Sequence, residues 1–201
     1  MALIAIAFVA PAALADPLSD LTKDGSAACF RRDYGAAHLR KNPRQQTTSM
    51  TVWLAGKDDA MPSGNTGLAL TRRGDPQPLF LAGACEWDNF KGPPDWMPSF
   101  TKKVGAGCII LEIPDVFPES SSAKEGSPVI LDPSADGKTM IVHLDDSPSL
   151  VKRAQRWKVV PLKLGRDDRV FLLRRTDVRD CDFVKEAVTM PEPPKPKGRQ
   201  R

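Results

Sequence analysis

Nine short runs rich in aliphatic, β-branched and aromatic residues dominate the sequence, and the turn residues between them predict an all-β fold. The 19 prolines and 14 glycines favour many turns and few long helices. One short helix is expected at 35–41, with Asp33 as its cap and Pro43 as its stop. The predicted strands are 28–32, 49–55, 68–73, 78–87, 107–113, 128–132, 139–145, 158–164 and 170–176.

Short sequential strands joined by tight turns predict a single antiparallel meander. Because closure removes exposed edge strands, we expect a closed up-and-down β-barrel of about eight or nine strands, with a β-sandwich as the alternative. Three turns predict hairpins, at Asp136-Gly137, 73–76 and 165–168, and Asp-Gly suits the positive φ of a primed turn. Alternation along 139–145 places Met140, Val142 and Leu144 on one face.

The segment 1–15 is almost wholly apolar and ends in Ala13-Leu14-Ala15, which predicts a cleaved signal peptide. It is too short to span a bilayer, so no membrane span is expected. The sequence therefore predicts a periplasmic or secreted protein with a single all-β domain at 16–190. A disordered, basic, Pro-rich tail is expected at 191–201.

Four cysteines in an oxidising compartment predict two disulfides and no free thiol. We expect Cys85–Cys108, because the end of strand four and the start of strand five meet at the same end of a meander. The other pair is then Cys29–Cys181. In a nine-strand meander these two cysteines lie at opposite ends, so either 177–181 turns back or the strand count is wrong by one.

The net charge of +4 resides mostly in the tail, where four cations stand against one carboxylate, so the body is close to neutral. A near-neutral body lacks the clustered basic face of a nucleic-acid-binding protein. The tail is expected either to give weak, salt-sensitive attraction to anionic surfaces or to serve only solubility.

Three arginine doublets end odd-numbered predicted strands and would gather at one rim of a meander. There they would clamp a carboxylate or phosphate, or form a ring of weak surface ion pairs. A second candidate surface lies in 88–106, where Trp96, Met97 and Phe100 either plug the barrel end or contact a partner. The doublets are Arg31-Arg32, Arg72-Arg73 and Arg174-Arg175.

No recognisable catalytic set is present, and no metal site or cofactor is predicted. Asp132, Ser134 and Asp136 resemble the start of a calcium loop, but position twelve is His143 where a Glu belongs, so a plain hairpin is expected. His38 and His143 are both expected to be structural, with His38 on the short helix.

The string at 29–39, Cys-Phe-Arg-Arg followed by Tyr34, His38 and Leu39, together with Met-Thr-Val-Trp-Leu at 50–54, resembles uncharacterised secreted proteins of alphaproteobacterial type. This resemblance covers about 30 residues of the sequence and implies no known activity.

The expected function is a non-enzymatic binding protein for a small or anionic ligand or an envelope protein. One alternative is an inhibitor or regulator of a secreted enzyme that acts through the 88–106 loop. The other is a hydrolase whose site assembles only in space.

Overall fold

A computed structural model describes residues 20–56, 65–85, 108–112, 129–144, 149–152, 158–162 and 164–189. The fold is mostly β, as predicted, and every strand pair found in these ranges is antiparallel. The strands are β1 (Ala27–Asp33), β2 (Thr47–Ala55), β3 (Asn65–Arg72), β4 (Asp75–Cys85), β5 (Cys108–Glu112), β6 (Val129–Pro133), β7 (Thr139–Leu144), β8 (Ser149–Lys152), β9 (Lys158–Pro161) and β10 (Val170–Thr176).

Strands β1 to β7 are neighbours in chain order, and β10 lies between β7 and β1. The curled sheet also pairs β3 with β4. The expectation of an unbroken meander is wrong, because the hairpin of β8 and β9 joins the sheet beside β4, at Phe80 and Val151. All nine predicted strands overlap observed ones, whereas β8 is an additional strand that the sequence pattern did not indicate.

The additional strand explains the position of the Cys29–Cys181 disulfide. With β8 counted, the last strand runs antiparallel to β1, and Cys29 is paired in register with Thr176. A 3-10 turn at Val178–Cys181 then brings Cys181 back to Cys29, with the Cα atoms 5.7 Å apart. The predicted Cys29–Cys181 bond is therefore confirmed. The predicted strand count is wrong by one, and residues 177–181 turn back towards Cys29.

Cys85 and Cys108 lie on β4 and β5, which pair with each other, as predicted. The register partner of Cys85 is Ile110. The side chains of both cysteines lie outside what the structure describes, so the Cys85–Cys108 bond stays a prediction.

The inner face of the sheet buries one large apolar cluster. Met140, Val142 and Leu144 are buried in it, while Ile141 and His143 between them are only half-buried, which confirms the predicted alternation along β7. Other members of the cluster include Phe30, Met50, Val52, Leu54, Leu68, Leu70, Leu81, Leu131, Phe171 and Leu173.

Two short helices lie wholly within the described residues, where one helix was expected. Helix α1 (Ala36–Lys41) forms where predicted, but Asp33 does not cap it, because Asp33 ends β1 and pairs with Arg31. Helix α2 (Asp182–Thr189) packs on the outer face of the sheet. Only Val184 and Ala187 of α2 are buried, which gives too few positions for a helical pattern to stand out in the sequence.

Two of the three predicted hairpins form. Residues 73–74 join β3 to β4 with Gly74 at φ +75°, and 134–138 join β6 to β7 with Gly137 at φ +64°. The second connection is longer than a two-residue primed turn. The third hairpin is wrong, because β9 pairs with β8, and a 3-10 turn at Arg166–Asp168 leads into β10 instead.

The predicted signal peptide, the tail at 191–201 and the loop at 88–106 all lie outside the described residues. In the ranges given above, no helix combines the length and apolar character needed to cross a membrane.

Candidate functional site

The pairing of β1 with β10 brings two of the three arginine doublets together. Arg31 is the direct register partner of Arg174, and Phe30 is the partner of Arg175. A surface concavity of about 380 Å³ is lined by both doublets, and we call it the arginine surface. Its lining residues are Arg31, Arg32, Asp33, Arg174, Arg175, Thr176 and Asp180.

The third doublet does not join this surface. Arg72 is the register partner of Thr47 at the end of β3, and Arg73 begins the turn to β4. The Arg73 guanidinium donates to the carbonyls of Leu39, at 2.7 Å, and Asn42, at 3.2 Å. Arg73 therefore satisfies backbone oxygens at the end of α1, which is a structural role.

Charge on the arginine surface is only partly neutralised. Arg31 pairs with Asp33 at 3.1 Å, and Asp180 accepts a hydrogen bond from the Thr176 hydroxyl. The guanidinium groups of Arg174 and Arg175 are exposed and have no ion pair within the described ranges. A neighbouring surface cleft of about 760 Å³ also contains both arginines, beside the turn between β6 and β7.

A second cleft opens where β1 and β10 separate. Their paired positions stop at Arg31 and Arg174, while β10 continues to Val170 alongside β7. Arg32 bridges this gap, because its Nη1 donates to the Leu172 carbonyl at 3.0 Å. We call this space of about 370 Å³ the β1/β10 cleft; it is lined by Arg32, Tyr34, His38, Asn42, Gln45, Ile141, Asp167, Val170, Phe171 and Leu172.

Tyr34 is the most unusual lining residue of the β1/β10 cleft. Its side chain is only 7% exposed, and its hydroxyl has no hydrogen-bond partner among the described residues. Burial raises the pKa of Tyr34 to about 12; nearby Arg32 opposes this shift and Asp168 adds to it. The Arg32 guanidinium lies 5.0 Å from the centre of the Tyr34 ring, within the range of a cation–π contact.

Hydrogen bonds fix the other polar wall of the cleft. Gln45 Nε2 donates to the Thr47 carbonyl at 2.8 Å, which turns Gln45 Oε1 towards His38. His38 Nε2 lies 2.9 Å from that oxygen and 3.2 Å from Asn42 Nδ2, so both amide side chains contact the ring. Asn42 Nδ2 donates to the His38 carbonyl at 3.0 Å. His38 lies on α1 as predicted, and these contacts account for a structural role.

A buried carboxylate holds the segment that leads into β2. Asp168 is fully buried, and its oxygens accept hydrogen bonds from the backbone N–H groups of Gln46, at 2.8 Å, and Thr47, at 2.9 Å. These bonds anchor the loop that carries Gln45 to the turn that precedes β10. The polar wall of the cleft is therefore built on a fixed support.

The turn between β6 and β7 accounts for the residues that resemble a calcium loop. Asp136 accepts hydrogen bonds from the Ser134 hydroxyl, at 2.7 Å, and the Lys138 N–H, at 3.1 Å, and these bonds lower its pKa to about 2. Among the residues with described positions, no group of three or more His, Cys, Asp or Glu could hold a metal ion.

The other predicted contact residues, Trp96, Met97 and Phe100, lie outside the described residues. The β1/β10 cleft has no signal in the sequence, because its lining residues come from two distant segments, 32–45 and 141–172. Of these residues, the sequence predicts only Arg32 to bind a ligand. Comparisons of the chain with protein-family models, with curated proteins and with solved structures find no match.

Proposed function

We propose that this protein is an exported, non-enzymatic binding protein that holds an anionic group, a carboxylate or a phosphate, on the arginine surface. The observation that carries the proposal is the direct cross-strand placement of Arg31 opposite Arg174. Like charges at directly opposite positions of an antiparallel pair destabilise that pair. An anion bound between Arg31 and Arg174 would attract both guanidinium groups and so offset their repulsion.

The chemistry of the surface favours an oxyanion. Guanidinium groups present N–H donors in a planar fork that matches the oxygens of carboxylate and phosphate groups. Arg31 is already engaged by Asp33, whereas Arg174 and Arg175 have no carboxylate partner within the described chain. An anion bound here would contact these two arginines first.

The apolar segment 1–15 and the disulfide support placement in the periplasm or outside the cell. The Cys29–Cys181 bond is of a kind that persists in oxidising compartments. In such compartments a small domain gains stability from disulfides. Here the disulfide links β1 to the segment after β10, and these two strands form the arginine surface.

The finer architecture that we propose is a closed barrel of β1 to β7 and β10, with the β8–β9 hairpin beside it. The pairings of β3 with both β2 and β4, and of β10 with both β1 and β7, support this arrangement. Closure would fix the spacing of β1 and β10, and thereby the spacing of the four guanidinium groups.

Calorimetric titration with tripolyphosphate at low ionic strength tests the proposal. The double variant Arg174→Gln/Arg175→Gln should bind at least about tenfold more weakly than the wild type, a loss of about 1.4 kcal/mol. The control Arg40→Gln/Lys41→Gln removes the same charge from exposed positions of α1 and should bind like the wild type.

Equal weakening by both double variants would mean that tripolyphosphate responds only to net charge, and the arginine surface would then not be a site. Native mass spectrometry of the protein purified from its own host would identify a retained anion and so name the ligand.

A further inference from the structure

We propose a second binding site, which shares Arg32 with the arginine surface, in which the β1/β10 cleft takes a small amphipathic carboxylate of the fatty-acid type. Two independent observations point to a ligand. The first is the cleft between the separated ends of β1 and β10. The second is the buried, unpartnered hydroxyl of Tyr34, a residue that lines the cleft and is more than nine-tenths buried.

The Tyr34 hydroxyl determines which polar group the ligand presents. A phenol that stays protonated to about pH 12 is a hydrogen-bond donor at every physiological pH. A buried donor without an acceptor is costly, and a ligand oxygen placed there removes that cost. The ligand therefore carries a hydrogen-bond acceptor at its buried end.

Arg32 makes that acceptor an anion. Its guanidinium lies over the Tyr34 ring and uses one N–H on the Leu172 carbonyl, which leaves further N–H donors in the same fork. The phenol and the guanidinium together offer two kinds of donor to one carboxylate. The hydroxyl is buried, so an incoming group reaches it only if side chains around the cleft move apart.

Part of the cleft lining is apolar and open to solvent. Val170 is 59% exposed and Leu172 is 42% exposed, and both line the cleft together with half-buried Ile141. Leu172 and Ile141 are register partners on neighbouring strands, so their side chains form one continuous apolar strip. A short alkyl chain laid on this strip would shield it from water.

Asp167 also lines the cleft and works against an anion. Its charge should repel the carboxylate and so weaken binding without changing the contacts that Tyr34 and Arg32 make. Asp167→Asn removes that charge and should therefore bind a carboxylate more tightly than the wild type. Variants of Tyr34 and Arg32 should instead bind it more weakly.

The probe is octanoate, compared with acetate, which lacks the alkyl chain, and with 1-octanol, which lacks the charge. Tyr34 is the single tyrosine of the chain, so incorporation of 3-fluorotyrosine places one ¹⁹F label in the cleft. Octanoate should shift this resonance saturably, and both comparison ligands should bind at least about tenfold more weakly than octanoate.

Titration calorimetry on the oxidised protein then compares variants. Tyr34→Phe and Arg32→Gln should each weaken octanoate binding about tenfold, and Asp167→Asn should strengthen it several-fold. Arg40→Gln on α1 and Arg174→Gln on the arginine surface are the controls and should leave it unchanged. Tyr34→Phe removes an unpartnered hydroxyl, so its unfolding midpoint should match or exceed that of the wild type, which separates lost binding from lost folding.

The proposal is overturned if octanoate binds no more tightly than 1-octanol or acetate. It is also overturned if Tyr34→Phe folds like the wild type and binds octanoate as tightly. The hydroxyl would then make no contact with octanoate, and an ordered water would be its partner. Loss of binding in Arg174→Gln would assign octanoate to the arginine surface instead.

Discussion

The two faces of the sheet bury apolar side chains by different means. The inner face collects side chains from most of the strands into one cluster. The outer face buries a smaller patch that includes Trp53, Ala69 and Phe80, and the eight-residue helix α2 packs against it. That helix begins directly after Cys181, which is bonded to Cys29 on β1.

This difference shows where a covalent link is needed. The inner cluster is held by the burial of many side chains, each contributing about 1.5–3 kcal/mol. An isolated helix of eight residues is unstable in water, and α2 adds only two fully buried side chains to the patch. The disulfide keeps α2 beside the outer face and so replaces contacts that a longer helix would make.

The largest expected effect is that of removing the disulfide. Cys29→Ala/Cys181→Ala should lower the free energy of unfolding by about 5 kcal/mol, because the bond closes a loop of 152 residues. Urea unfolding measures the loss. Cleavage of α2 by a protease under native conditions should rise in the double variant, while cleavage of the inner strands should not. Equal cleavage of both regions would show that the two faces form one unit.

A matched pair of phenylalanines compares the faces directly. Phe171→Ala removes a buried ring from the inner cluster and should cost about 4 kcal/mol. Phe183→Ala removes a ring that is 38% exposed on α2 and contacts Phe80 edge-on at 6.3 Å, and it should cost less than about 1.5 kcal/mol. Thermal unfolding of both variants measures the two losses of stability. Similar losses in Phe171→Ala and Phe183→Ala would contradict the proposed difference between the faces.

The fit between α2 and the outer face can be tested by adding one methyl group. A Cβ on Gly67 would lie 2.8 Å from Val184 Cγ1, so Gly67→Ala should cost about 2 kcal/mol by overpacking. In the Cys29→Ala/Cys181→Ala background α2 is free to move away, and the cost should nearly vanish. Gly35→Ala is the control, because no atom lies within 4 Å of the added Cβ there. An undiminished cost without the disulfide would mean that α2 stays packed by itself.

One effect appears only at high pH, at the end of the inner cluster where Tyr34 lies. The folded pKa of about 12 is above the ordinary value of 10, so the neutral phenol is favoured by folding. That stability is fully present below pH 10 and is lost as the pH rises through about 12. Absorbance at 295 nm follows the single tyrosine directly; ionisation near pH 10 in the folded protein would show that Tyr34 is open to solvent.

Local patterns were enough to predict the β class, nine of the strands and the alternation of Met140, Val142 and Leu144. They did not indicate β8, which is only four residues long, too few for alternation to be distinctive. Because β8 gave no signal, the direction predicted for the last strand was wrong. Arg174 nevertheless meets Arg31, because the two residues pair in register on antiparallel strands.

The candidate sites depend on tertiary register, which local patterns do not contain. Arg31 and Arg174 were singled out from the sequence, but their direct opposition follows from the pairing of β1 with β10. Tyr34 and Asp167 carried no signal, because a tyrosine without a hydrogen-bond partner looks in the sequence like any other core residue.

The pairing of β1 with β10 also has a consequence for how the chain reaches its native state. Arg32 and Leu172, which are hydrogen-bonded across this seam, are separated by 140 positions. Contacts of such long range slow folding, since the intervening chain must be ordered before they form. A nascent chain that emerges with β1 first would keep one edge of that strand unpaired until β10 appears. Chaperones that recognise exposed strand edges would therefore have a long interval in which to hold this protein unfolded.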